Sequence, residues 1–204
     1  MLLLKKENQD LMIIPGFLKS NNKDFDMSYV IDKETLKAYP KDRNVMLLGI
    51  SYLEAKIHNG QLSLENAKLL SKLGFYYKLT GNYNKSLENQ NKAIEIFKYL
   101  ENKKGLFVSK IRLAQAYEYK SDYVQSNKIF NDLLSEFNEN KSDLEIYEDF
   151  LYQHIGKNYF SQKDYENAFI FFNKALLIRK EKNDSELIES TNLAIRVIER
   201  INKK

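Results

Sequence analysis

The sequence has no cysteine, only two prolines and seven glycines in 204 residues, and only two histidines. Without cysteine there are no disulfides, no thiolate nucleophile and no cysteine-ligated zinc, and the composition is compatible with any compartment. So few prolines and glycines argue against an all-β protein, which needs many tight turns. The histidines, His58 and His154, are far apart along the chain, so a metal site or acid–base pair built from both is not expected. Long apolar runs are missing too: nothing approaches the ~18 residues of a membrane span. The opening "MLLLKKENQD" has three leucines before its charges begin, too few for the apolar core of a signal peptide. The expected location is the cytoplasm, with no membrane partner.

Charge of one sign is also lacking. Thirty-two basic residues stand against 28 acidic ones, a net charge of +4, and the signs are mixed along the chain. Such mixing describes a solvated surface, not a nucleic-acid stripe. The C-terminal Arg196, Arg200, Lys203 and Lys204 alternate with Glu199 and fit the same description. The abundance of Lys, Asn, Ile and Tyr is what an AT-rich bacterial genome produces. No phosphate loop, Gly-x-Ser-x-Gly elbow or His-Glu-x-x-His motif occurs. The acidic run "DLEIYED" (Asp143, Glu145, Glu148, Asp149) lacks the glycine-centred spacing of a calcium loop. It opens a helix, where acids complement the dipole. Catalysis, a metal and a cofactor are therefore not expected.

What the chain does contain is a repeat. Leu73-Gly74, Leu113-Ala114 and Ile155-Gly156 place a small residue at intervals of 40 and 42. Three residues later stand Tyr77, Tyr117 and Tyr159, and six further on Tyr83, Tyr123 and Tyr165, each following a capping residue (Asn82, Asp122, Asp164). Small residues recur at Ser86, Ser126 and Ala168, then apolar pairs at Ala93-Ile94, Leu133-Leu134 and Ala175-Leu176. The small residues let two helices cross closely, and the tyrosines fill the crossing. Each hairpin is apolar on more than one side and must stack on neighbours to bury itself.

The segments "LGFYYKLTGNYNKSLENQNKAI", "LAQAYEYKSDYVQSNKIFNDLL" and "IGKNYFSQKDYENAFIFFNKAL" resemble the tetratricopeptide repeat family across roughly 66–180. The resemblance implies an all-α superhelical stack of antiparallel hairpins. Here the period exceeds the usual 34 residues, the helix-ending proline is absent, and Gln90 replaces an aromatic. Long repeats with a linker such as "ENKKG" are similar to those of kinesin light chains, LGN-type adaptors and Rap-type peptide-sensing regulators. The expected organisation is an N-terminal extension over 1–41 and a helical domain over 42–204. That domain comprises a capping helix at 43–58, repeats at about 64–101, 105–138 and 143–180, and a C-terminal cap at 185–202. On the last helix Leu187, Thr191, Ala194, Ile198 and Ile201 share the apolar face. Within the extension, Pro15-Gly16 marks a turn. Asp32 reads as the cap of a short helix through Tyr39, broken by Pro40. The apolar "LMIIPGFL" suits docking, in one arrangement onto the repeats themselves.

In this family the first helix of each hairpin lines the concave face. Carried onto this chain, the lining positions are Lys68, Ser71, Phe75 and Lys78, then Val108, Ile111, Gln115 and Glu118, then Phe150, Gln153, Lys157 and Phe160. The i, i+3, i+7, i+10 spacing is one helical face. The aromatics there suggest a hot spot for a protein or peptide; the alternative is that the N-terminal segment or a second copy of the chain covers them. Beside Gln153, His154 is a candidate contact residue. The carboxylate-gripping Lys/Asn/Arg clamp of some members is not matched, since Ser71 and Phe75 occupy its first-repeat positions. The resemblance implies a non-catalytic scaffold or adaptor. The alternatives are an immunity protein neutralising a bacterial toxin and a Rap-like peptide sensor, with self-association a further possibility.

Overall fold

The computed structural model describes residues 11–14, 16–18, 24–58 and 60–203. Expectations for residues 1–10, for Pro15 and Asn59 and for Lys204 lie outside them. Helix α1 spans Arg43–Glu54, followed by α2 (Leu64–Leu79), α3 (Tyr83–Tyr99), α4 (Lys103–Tyr119) and α5 (Tyr123–Glu139). A short α6 (Lys141–Leu144) and one 3-10 turn lead into α7 (Glu148–Ser161), α8 (Tyr165–Glu181) and α9 (Ser185–Asn202). The architecture is an all-α stack of helix hairpins, α2/α3, α4/α5 and α7/α8, closed by α9.

The turns repeat with the sequence. Gly81, Ser121 and Lys163 each adopt positive φ (83°, 62° and 64°), and the next residue caps the following helix. Asn82 accepts from the Lys85 N–H, Asp122 from Gln125 and Asp164 from Asn167, at 3.1–3.3 Å. Each cap satisfies one N–H of the four that a helix start leaves open. The same device joins hairpins at Glu101-Asn102 and Asn183-Asp184. From α2 onward the α5–α7 connection departs from it, with no side-chain cap on α6 or α7, and this is where the period lengthens.

Inside each hairpin the small residue admits its partner helix. A Cβ on Gly156 would sit 2.7 Å from the Phe172 ring, closer than packed carbon atoms approach. In the second hairpin Ala114 and Phe130 are buried in one cluster. In the first, Gln90 replaces the aromatic because its amide has work to do. It donates to the Ser71 carbonyl at 2.8 Å, accepts from the Ser71 hydroxyl at 3.1 Å, and is fully buried. A buried polar group so satisfied costs little.

The N-terminal region corrects the expectation of a short helix from Asp32 to Tyr39. It is a sheet: β1 (Leu11–Ile14) pairs antiparallel with β4 (Tyr29–Asp32), which pairs with β5 (Ala38–Pro40). A two-residue ladder joins β2 (Phe17–Leu18) to β3 (Phe25–Asp26). The Asp32 carboxylate does accept two backbone N–H groups, from Glu34 at 2.8 Å and Thr35 at 2.7 Å. That is the chemistry of a helix cap, used here to close a β-turn. Leu36 at φ 55° and the ladder to β1 decide for the hairpin.

The sheet lies against the repeats. One core cluster takes in Ile31, Leu36 and Ala38 of the sheet, α1, Leu73 and Tyr77 of α2, and Leu193, Val197 and Ile198 of α9. The Ala38 N–H donates to the Tyr119 hydroxyl at 2.7 Å, and the Tyr29 ring meets Phe75 edge-on at 5.6 Å. The sheet therefore reaches from α2 and α4 to α9.

Candidate functional site

The expected lining positions fall mostly in two spaces. Near the first hairpin an open cleft of about 560 Å³ remains between α2 and α4, lined by Lys68, Ser71, Phe75 and Val108 of the twelve expected positions. Leu64, Lys72, Tyr76, Lys104 and Arg112 complete its walls. Four basic residues and no carboxylate line it, and Leu64 is 40% exposed. Ser71 is nevertheless tied down, receiving hydrogen bonds from Ser109 at 3.0 Å and Arg112 at 2.9 Å.

Under the sheet lies a second space, a cavity of about 360 Å³. Phe75 borders both spaces. Lys78, Gln115, Glu118, Phe150, Gln153 and Lys157 line the cavity from α2, α4 and α7, and Ile14, Tyr29, Ile31 and Ala38 roof it. Two expected lining residues do not reach either space. Ile111 is fully buried in the second hairpin's core and Phe160 is 6% exposed in the cluster under the sheet. The groove thus differs from an open aromatic trough: Phe75 and Phe150 are half-buried, Phe75 against Tyr29 and Phe150 edge-on to His154 at 4.5 Å.

The cavity's electrostatics are unusual for a buried space. The Lys78 ammonium is buried, donates to Gln115 Oε1 at 2.5 Å, and lies 4.6 Å from the Tyr119 ring centre. Desolvation lowers its pKa to about 7, with Glu118 opposing the shift. Desolvation likewise brings Lys157 down to about 8 and raises the Glu118 carboxyl, whose Oε1 accepts from the Ser161 hydroxyl at 2.6 Å. His154 is held well below its ordinary range, first by desolvation and then by the positive charge of Lys157 and Lys78. It is a neutral ring at neutral pH.

Beyond the expected positions, Arg112 and Arg179 also reach the cavity. Arg179 is 2% exposed and bonded to Asp149, Gln153 and Thr191, so it builds the wall and does not offer its charge. The acidic run is likewise structural: Asp149 also meets Lys182, Glu148 accepts from Tyr152, and Asp143 pairs with Lys103. Arg112 follows Val108 by one helical turn, a spacing that places it on the concave face. Among the described residues no cluster of His, Cys, Asp and Glu could hold a metal ion. No described helix is long and apolar enough to cross a membrane.

The tetratricopeptide repeat family model matches residues 67–98 and 151–182, the first and third hairpins. No curated protein matches the sequence. Among solved structures the fold is similar to BtubC (BKLC) from P. vanneervenii, at 16% identity and a TM-score of 0.49. That likeness covers 79% of this chain and 73% of the other.

Proposed function

The chain carries tetratricopeptide repeats, and from that premise we propose that it is a non-catalytic scaffold that binds a protein segment in the open α2–α4 cleft. The observation that carries this reading is the cleft itself: Leu64, Tyr76 and Val108 framed by Lys68, Lys72, Lys104 and Arg112, with no acid among the lining residues. Such a surface suits a segment with apolar anchors flanked by acidic side chains. Burying two or three anchors corresponds to binding at about −8 kcal/mol, the micromolar range. A folded partner that also engaged the convex helices would bind more tightly.

The test is affinity capture of tagged protein from its native cells, run beside Leu64→Glu/Val108→Glu, with circular dichroism confirming the fold of both. A stoichiometric partner lost in the double variant supports the cleft. A partner retained at full strength by the variant removes the cleft from the binding surface. If the captured partner is toxic when produced alone and harmless with this chain, the role narrows to neutralising that toxin. A short extended peptide would instead favour a Rap-like sensor.

A further inference from the structure

The covered cavity holds more positive charge and more open donors than the fold requires. Gln115 and Gln153 are 2% and 3% exposed, yet the Nε2 of each has no acceptor among the described residues. Reversing the amides does not remove the deficit. Gln115 Oε1 accepts from the Lys78 ammonium, and Gln153 Oε1 accepts from Arg179 at 3.0 Å and Thr191 at 3.0 Å. Both carbonyl oxygens are fixed by donors, so each of these two cavity-lining glutamines keeps an NH₂ group with no acceptor in the fold. An orphaned buried donor is costly, and two belong to side chains that line one cavity.

The cations point the same way. Among the described residues, no carboxylate lies within ion-pair distance of Lys78, Lys157 or Arg112. Glu118 is the one buried carboxylate on the cavity wall, and Glu186 is exposed at its edge. The rings of Phe75 and Tyr119 offset part of the burial of Lys78, but a ring face is not a counter-ion. It also does nothing for Lys157. Glu118 supports both lysines without pairing with either, and desolvated cations lacking a direct counter-ion are candidates for a ligand.

We propose that the cavity between the N-terminal sheet and the repeats binds a compact organic anion. Its charged group is met by Lys78, Lys157 and the two glutamine amides, and its apolar body rests against Phe150 and Tyr29. A volume of about 360 Å³ falls at the small end of pockets for organic molecules. It is too small for a peptide segment of several residues. The anion is a carboxylate or a phosphate ester; both present oxygen acceptors to N–H donors. The lowered affinity of Lys78 and Lys157 for protons means that an anion entering the cavity draws protons onto them. Phe75 and Arg112 border both this cavity and the partner cleft, but the anion's contacts to Lys78 and Lys157 lie outside the cleft, so the two proposals are tested independently.

The experiment measures thermal unfolding of the full chain with phenyl phosphate, phenylacetate or sodium chloride at matched ionic strength. At least one aromatic anion raises the midpoint by about 3 °C over chloride, and which one responds distinguishes phosphate from carboxylate. In Lys157→Met the shift disappears while the midpoint in chloride rises, because a half-buried, desolvated charge with no direct counter-ion is gone. A second readout needs no variant. With only two histidines in the chain, the His154 ring resonances move on titration of the responding anion and those of His58 stay. Midpoints that match chloride for both anions overturn the proposal, as does a full shift retained by Lys157→Met or movement confined to His58.

Discussion

Arg179 on α8 sets its Nε 2.9 Å from Asp149 Oδ2 on α7, and both side chains are about 95% or more buried. The same guanidinium bonds Gln153 of α7 and, at 2.7 Å, Thr191 of α9. One cation thus ties the last hairpin to the helix that closes the stack. This pair supplies the polar part of the contact between the third hairpin and α9.

Removing one partner leaves the other charge buried and unpaired. Asp149→Ala is expected to destabilise the chain by about 3–5 kcal/mol in urea unfolding, whereas Asp149→Leu combined with Arg179→Met recovers most of the loss. A single variant with a loss below about 1 kcal/mol would mean that water or rearrangement satisfies Arg179 in its place.

The crossing at Gly156 makes a second prediction. Alanine there places a methyl against the Phe172 ring and costs about 1–3 kcal/mol through overpacking. Phe172→Leu, itself destabilising, should lessen that cost in the double variant. The coupling is read from a double-mutant cycle, and strict additivity would sink the explanation.

Lys163 sits at φ 64° where the first hairpin has Gly81 at 83°. Lys163→Gly removes a left-handed strain of about 1–2 kcal/mol and gives back part of it as unfolded-chain entropy. The expected net gain is about 0.5–1 kcal/mol, seen as a higher urea midpoint. Gly81→Ala should change stability with the opposite sign.

Titration of the cavity gives a pH signature. His154 has its folded pKa depressed, so the unfolded chain takes up protons first as pH falls below about 6.5, and stability is lost on that side. Lys78 and Lys157 are depressed to about 7 and about 8. Between those values and about 10.4 the unfolded chain holds more protons, and stability rises with pH by at most about 1.4 kcal/mol per unit for each. Glu118, raised by burial, works against them above the ordinary carboxylate range. Subtracting the profile of Lys157→Met isolates that lysine: its share of the alkaline rise should vanish. His154→Leu should flatten the acid side. A wild-type profile that is flat from pH 6.5 to 9.5 and unchanged in Lys157→Met would contradict the depressed lysine.

The sequence by itself determined the helical stack, because the forces that specify it are local and periodic. Gly74, Ala114 and Gly156 mark the crossings, and Asn82, Asp122 and Asp164 mark the helix starts. Their spacing carries the hairpin geometry whatever surrounds it. The expected lining positions rest on the same local logic, since positions three and seven apart share a side of a helix. What lay beyond that reading was long-range. Asp32 offers the same carboxylate to a helix cap and to a β-turn, and only pairing with residues 11–14 selects the turn. Gln115 and Gln153 look like ordinary surface amides until the sheet closes over them. Ile111 and Phe160 satisfy the lining pattern, yet the second hairpin's core buries the first and the cluster under the sheet buries the second. Tertiary structure alone decided which residues the N-terminal sheet would cover, because burial depends on what packs above a residue, and no local pattern in the covered helix records that.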